Sequence, residues 1–154
     1  MWWRLPSKEF DLGAASNRAA MGALLIEGYV PGLLAYDGDE VVGWVSVAPR
    51  PQFGRVQRSR QVAPVDGEPA WSVVCFYVPR ERRRQGVAGA LLEAAVAYAA
   101  DHGATLVEGY PVGDGRDHGG AEAVFSGTET LFRRSGFERV ADRGGQRVVM
   151  RKWL

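Results

Sequence analysis

Apolar positions in this chain fall mostly into short runs with strand character, and fewer stretches keep a helical period. Residues 32–36 and 41–47 are apolar runs on either side of Asp37-Gly38-Asp39-Glu40. Asp-Gly between two such runs predicts a β-hairpin, with Trp44 in its core. A third run, 71–78, is rich in β-branched and aromatic residues and too short for a typical helix. Pro79 ends it, because proline has no N–H to give to a central ladder. Alternation along that strand places Ser72, Val74, Phe76 and Val78 on one face and Val73, Cys75 and Tyr77 on the other. The pattern then changes period: Val87, Leu91, Ala94/Ala95 and Tyr98 form one apolar stripe of a helix running to Asp101, with Gly103 as its stop. An earlier helix is expected from a cap at Ser16 or Asn17 to about Glu27, with Ala20, Met21, Leu24 and Leu25 on one face and Gly28 beyond its end. Residues 105–110, 137–140 and 146–153 read as strands, the last two as a hairpin around Arg143-Gly144-Gly145. Residues 122–135 read as helical, with Thr128 as an internal cap. Trp2 and Trp3 suggest a short first strand over residues 1–5.

Composition narrows the class. The 154 residues suit one domain, 1–154, large enough for a real core. Hydrophobic content of 46% and charged content of 24% are those of a globular chain. A net charge of +1 argues against bulk attraction to nucleic acid or membrane. Cys75 is the only cysteine, which excludes an intrachain disulfide and a cysteine-based zinc site. No apolar run approaches the roughly 20 residues of a membrane span, and the N-terminus lacks the basic-then-apolar plan of a signal peptide. The expected location is cytoplasmic. Asp114, Asp117 and His118 sit in a glycine-rich stretch and read as solvated loop charges, so no metal is expected.

Candidate chemistry begins between the central strand and its helix. Arg80-Glu81-Arg82-Arg83-Arg84-Gln85-Gly86 is a cationic turn opening into a helix N-terminus, whose unpaired N–H groups and positive dipole end attract anions. Gly86, Ala88 and Gly89 carry little side chain, so a phosphate can reach the backbone. Arg83 and Arg84 can add charge-assisted bonds. The plainer alternative is a solvated basic turn. Neither a P-loop nor a dinucleotide-binding glycine fingerprint is present.

Arg83-x-x-Gly86-x-Ala88, between a strand and a long helix, resembles the acetyl-CoA motif of the GNAT N-acetyltransferase superfamily. Leu131-Phe132-Arg133-Arg134-Ser135-Gly136-Phe137, before the last two strands, resembles that family's second signature. The resemblance implies an α/β (α+β) fold. Its sheet is central, twisted, mixed and mostly antiparallel, with six to seven strands splayed between strands four and five and about four flanking helices. It also implies acetyl-CoA as co-substrate. The pyrophosphate would lie on the amides of Arg84, Gln85, Gly86, Val87, Ala88 and Gly89, with Arg83 as cationic helper. Phe76, Tyr77 and Val78 would bond the pantetheine arm, and the amide of Tyr77 or Val78 would polarise the thioester carbonyl. Phe132 stands where many members have a tyrosine that protonates the leaving thiolate; Tyr110, Tyr77, Ser126 and Cys75 are the candidate substitutes.

The implied activity is transfer of an acetyl group to the primary amine of a small molecule, by direct attack through a tetrahedral intermediate. Glu108 is the candidate general base, or else a carboxylate paired with one of the many arginines. The irregular segment 48–70 carries Arg50, Arg55, Arg58 and Arg60, and Phe53 and Val56 suggest a short amphipathic turn within it. Arg55, Arg58 and Cys75 are the candidate acceptor-binding residues, and the arginines suggest an acceptor bearing an acidic group. Asp114, Asp117 and Glu122 are candidates for the opposite wall. The alternatives are a protein N-terminal or lysine acetyltransferase and a non-catalytic acyl-CoA sensor. Nucleic-acid binding through residues 80–84 is disfavoured by the charge balance. An exposed Trp2, Trp3 or Trp153 would suggest a homodimer interface.

Overall fold

The computed structural model describes residues 1–116 and 125–154. Asp117, His118 and Glu122, with the start of the helix expected from 122, lie outside them. Among the described residues six strands form one sheet in the order β1-β2-β3-β4-β6-β5. They are β1 (Leu33–Asp37), β2 (Glu40–Pro49), β3 (Trp71–Tyr77), β4 (Leu106–Gly109), β5 (Glu138–Asp142) and β6 (Val148–Trp153). The β3–β4 pair is parallel and all other neighbours are antiparallel. Among the described residues five α-helices flank the sheet: α1 (Ser7–Phe10), α2 (Ala14–Ile26), α3 (Gly54–Arg58), α4 (Val87–Asp101) and α5 (Glu129–Arg134).

The hairpin forms where Asp-Gly predicts it, with Gly38 at φ 59° in the turn. The first strand does not form. Residues 1–5 turn back on themselves, with Arg4 N–H and Leu5 N–H both donating to Met1 C=O. Trp3 is buried there, and β1 is left at the sheet edge. α2 begins at Ala14, earlier than a Ser16 or Asn17 cap allows, because Gly13 at φ 99° takes the N-cap position. Asn17 instead donates from Nδ2 to Phe10 C=O and ties α2 to α1. No residue of α2 is fully buried, and Leu25 and Ile26 face outward.

The main core lies between α4 and the sheet, where Leu91, Leu92, Ala95 and Ala99 meet Val45, Val47, Val73 and Phe76. A second cluster on the other side of the sheet joins Trp3, Phe53, Val56, Val74 and Tyr110. The membership of Val74 and Phe76 corrects the expected alternation. Ser46 pairs with Cys75 but Val47 pairs with Val73, so β3 carries an extra residue at Val74. Such a bulge reverses the facing of everything beyond it: Val73 and Phe76 pack toward α4, whereas Val74 and Cys75 pack toward the second cluster.

The bonded contact between β3 and β4 covers only Trp71–Val107, Ser72–Glu108 and Val73–Gly109. Beyond it the two strands part, which is the splay expected between strands four and five of a sheet with one more strand at its start. The parting is filled from α5 and the turn before it. Phe132 packs edge-on to Phe76 with centroids 6.1 Å apart, and its ring covers Gly109, where a Cβ would meet Phe132 Cε1 at 2.0 Å. Thr128 does cap α5, its Oγ1 accepting from Leu131 N–H at 3.2 Å.

Candidate active site

The first part of the site is the turn between β3 and α4. Arg84 at φ 62° and Gly86 at φ 85° are both left-handed, an arrangement that turns successive N–H groups toward one concavity. Among the described residues, none of the amides of residues 84–89 donates to a backbone carbonyl; the first bond of the helix is Ala90 N–H to Gly86 C=O at 3.1 Å. A Cβ built on Gly86 or Gly89 meets nothing within 4 Å. The backbone here is open as well as unpartnered. Val87 and Ala88 pack against the α4 core and hold the helix start in place. Arg82 anchors the turn to the hairpin through Asp37, at 3.0 Å, and Glu40. Arg83 is exposed and donates from Nε to Val78 C=O at 3.0 Å; Arg84 is exposed; Gln85 donates to Glu81 C=O at 2.8 Å. The cationic turn therefore holds four exposed or half-exposed arginines beside free amides, a donor set that fits a pyrophosphate.

The strand expected to receive the pantetheine arm has one amide already used. Phe76 N–H donates to Phe125 C=O at 2.6 Å, across the parting from β4. In an antiparallel ladder the next residue turns its N–H the other way, so that of Tyr77 faces Trp44 in β2. Of the two amides expected at the thioester carbonyl, Val78 is the one whose backbone faces the parting. The Tyr77 side chain is exposed.

Glu108 and Tyr110 occupy a different environment. Both are fully buried. Arg50 Nη1 donates to Glu108 Oε1 and Oε2 at 3.1 Å each, and Arg151 Nε donates to Oε1 at 2.9 Å. Tyr110 donates its phenol proton to Glu108 Oε2 at 2.9 Å, and Ser72 Oγ lies 2.8 Å from the phenol oxygen. Burial, and then the neighbouring Glu108 charge, push the Tyr110 phenol well above its ordinary range. Arg151 also pairs with Asp66 at 2.6 Å, and that partner lowers the Asp66 carboxyl to about 2. Glu108 is thus paired with arginine, the plainer of its two sequence readings. The network ties the start of β3, β4, β6 and the 48–70 segment together.

A cavity of about 430 Å³ opens on the face of the sheet away from α4. Trp2, Trp3, Phe10, Trp44, Phe53 and Phe125 wall it, and Val74 and Cys75 reach it through the bulge. Trp44 is therefore a wall residue, half-exposed, and not core as the sequence suggests. Arg4 is the charged side chain on the wall, with Nη1 donating to Gln52 Oε1 at 2.9 Å and its guanidinium 4.4 Å from the Phe53 ring centroid. Burial pushes the Cys75 thiol up to about 11, which keeps it protonated at neutral pH and a poor nucleophile. Arg55 and Arg58 do not line this cavity: Arg55 stacks 3.6 Å from the Trp2 ring centroid and donates to Ser7, and Arg58 is exposed. Asp114 is engaged with Arg133 and Thr130. Ser126 is buried and bonded by Arg147. Trp2 and Trp153 are exposed, Trp3 is not. No group of three or more potential metal ligands occurs among the described residues, and none of their helices is long and apolar enough to cross a membrane.

The bulge brings the two halves together. Phe76 to Val78 border the parting reached from the α4 side, and Val74 and Cys75, immediately before them, border the cavity on the other. The cavity wall was not legible in the sequence beyond an unusual density of aromatics near the N-terminus.

Residues 2–111 match the model of the acetyltransferase (GNAT) family. The match stops short of α5, β5 and β6, which complete the same sheet. No curated protein matches the chain in sequence. Among solved structures, ribosomal-protein-alanine N-acetyltransferase from Brucella melitensis is 20% identical with a TM-score of 0.58, over 93% of this chain and 80% of that one. Ard1 from Thermoplasma volcanium is 15% identical with a TM-score of 0.56, over 89% and 79%. PaiA N-acetyltransferase from Thermoplasma acidophilum, solved with coenzyme A, is 12% identical with a TM-score of 0.55, over 91% and 72%.

Proposed function

The chain belongs to the GNAT acetyltransferase family, and we propose that it moves an acetyl group from acetyl-CoA to the primary amine of a small molecule by direct attack. The observation that carries this reading is the run of unpartnered, uncovered amides at residues 84–89, set one strand away from an apolar cavity. Acetyl-CoA supplies the activated acyl group; the chain supplies position and electrostatics. The amides of residues 84–89 hold the pyrophosphate, with Arg83 and Arg84 beside it, and Val78 offers its N–H to the acyl carbonyl. Phe132 and Phe76 wall the parting and exclude water from it.

The amine loses its proton before it binds. An alkylammonium with a pKa near ~10.4 is disfavoured in an apolar cavity walled by the Arg4 guanidinium and by Met1, whose terminal ammonium burial also pushes toward its neutral form, because burial and like charge both favour the neutral amine. That entry cost replaces a general base, and it leaves Glu108 to its arginines. The attacking nitrogen carries one surplus proton into the tetrahedral intermediate, and the departing thiolate takes it as the C–S bond breaks, so that amide and free thiol form without a dedicated acid; of the hydroxyls named at the outset, that of Tyr77 is exposed. The cavity wall supports an apolar acceptor over the acidic one suggested by the 48–70 arginines. The reading is tested by following free CoA thiol from acetyl-CoA against a panel of primary amines. A Gly86→Glu variant, which puts a carboxylate among the pyrophosphate amides, is expected to abolish release. Release unchanged in that variant would refute the site.

A further inference from the structure

Helix α2 is apolar on every side, yet none of its residues is fully buried. From Ala14 to Ile26 its one charged residue is Arg18, and among the described residues no α2 side chain joins either core cluster. A helix of that composition is ordinarily covered all round. Met21 lines the cavity and marks the inner side. Ala15, Arg18, Ala19, Gly22 and Ile26, three or four residues apart, share the outward side, and Ile26 is 89% exposed.

The sheet has an uncovered apolar strip of its own. Asp37 and Glu40 both reach Arg82, in the turn leading to α4. Their neighbours Tyr36 and Val41, paired across the hairpin, therefore point to the other face. Leu34 points there too, opposite the half-exposed Trp44 that walls the cavity. Leu34, Tyr36 and Val41 are exposed, and β1 is an edge strand. With Leu25, Ile26, Tyr29 and Val30 they make seven large apolar side chains left uncovered within residues 25–41. Each offers on the order of 100 Å² at its exposure, and the seven offer roughly 700 Å². That exceeds the largest apolar patch of a typical monomer, about 300–600 Å². It approaches the share of about 800 Å² that each partner gives to a stable interface.

Charge identifies the occupant. The hairpin tip at the end of the strip is acidic, with Asp37, Asp39 and Glu40 exposed. Asp37 and Glu40 hold Arg82, whereas Asp39 and Arg18 make no ion pair among the described residues. An apolar helix with one cation and an apolar strip with an acidic rim thus reside on the same chain. We propose that two copies of the chain pair about a two-fold axis, α2 of each lying along the β1–β2 strip of the other, with Arg18 toward the partner's Asp39. The two-fold uses both surfaces of both copies in one closed interface and leaves no apolar edge to extend the assembly. The helix gains the cover its composition calls for, and the strip and free edge of β1 gain a helix over them.

Sedimentation velocity of the full chain from about 1 to 100 μM tests this, since interfaces of this size hold at micromolar concentration or below. The native protein is expected to sediment at twice the chain mass. Ile26→Glu and Leu34→Lys, both at exposed positions of the single chain, are each expected to sediment as monomers with native far-UV spectra. Arg18→Glu and Asp39→Arg are each expected to weaken the dimer at least about tenfold, because each sets like charges against one another. The two combined restore opposite charges and are expected to recover most of that loss. A native protein that stays monomeric at about 100 μM overturns the proposal, given the micromolar hold expected of such an interface. So does a dimer that survives both Ile26→Glu and Leu34→Lys, which would place the contact at another exposed aromatic such as Trp153. A combined charge variant no better than either single one overturns the placing of α2 on the partner's strip.

Discussion

Replacing Glu108 with glutamine preserves the shape of the buried network and removes its central charge. In the native protein that carboxylate has no exposure and faces two guanidiniums that are 7% and 6% exposed, with a phenol proton on its remaining oxygen. Removing one partner of such a buried pair costs about 3–5 kcal/mol, since the other charges stay behind in a low-dielectric interior. The glutamine carbonyl still accepts one bond, which returns about 1 kcal/mol, and Asp66 keeps its hold on Arg151. A net loss of about 2–4 kcal/mol follows. For a chain of this size each kcal/mol lowers the melting temperature by roughly 2–4 °C, so the midpoint should fall by roughly 5–15 °C. Thermal melts measure that, and thiol release assayed well below the new midpoint should stay within about tenfold of the native rate. Loss of a general base would instead cost about 10²- to 10⁴-fold in rate. A variant that melts like the native protein but has lost turnover would refute the structural assignment and restore Glu108 as the base.

Three further substitutions probe separate parts. Gly89→Ala places a methyl in open space at ordinary helical dihedrals, so the fold should gain up to about 1 kcal/mol while the KM for acetyl-CoA rises; a higher melting temperature with unchanged KM would move the phosphates elsewhere. Asp66 has its carboxyl lowered from 3.8 to about 2 by Arg151, so its contribution to stability is complete above the ordinary carboxylate range and is lost as pH falls through the folded value. Asp66→Asn should therefore flatten the stability curve between about pH 4 and pH 2, and an unaltered curve in acid denaturation would contradict the pairing. Phe132→Tyr adds a hydroxyl to a ring with no exposure, packed on Gly109. It should destabilise by about 1–3 kcal/mol without raising kcat; a faster enzyme of native stability would mean that a proton donor was lacking.

Much of the sheet was legible because its signals are local. Asp37-Gly38 sets the hairpin, Pro79 ends β3, and the period change at Val87 opens α4. What escaped depended on contacts between distant segments. Trp2 and Trp3 have strand composition, but their side chains are used on the cavity and the second core, and the backbone turns instead of pairing. The bulge at Val74 leaves no mark in the residue pattern, yet it decides that Cys75 faces the cavity and Phe76 faces α4. The open turn with its unpartnered amides was readable from Arg83, Gly86 and Ala88, since a contiguous motif controls that backbone. The cavity was not. It is assembled from α1, β2, the 48–58 turn, β3 and Phe125, and the arginines that looked available in 48–70 include Arg50, which is spent on Glu108, and Arg55, which is spent on Trp2.

The most direct test of acetyl transfer is mass spectrometry of the amine after incubation with acetyl-CoA and the chain. The account predicts an N-acetylated amine formed in step with free CoA, and no product with Gly86→Glu. Acetyl-CoA that binds at α4 but leaves every amine in the panel unmodified, or product undiminished in the variant, would contradict it.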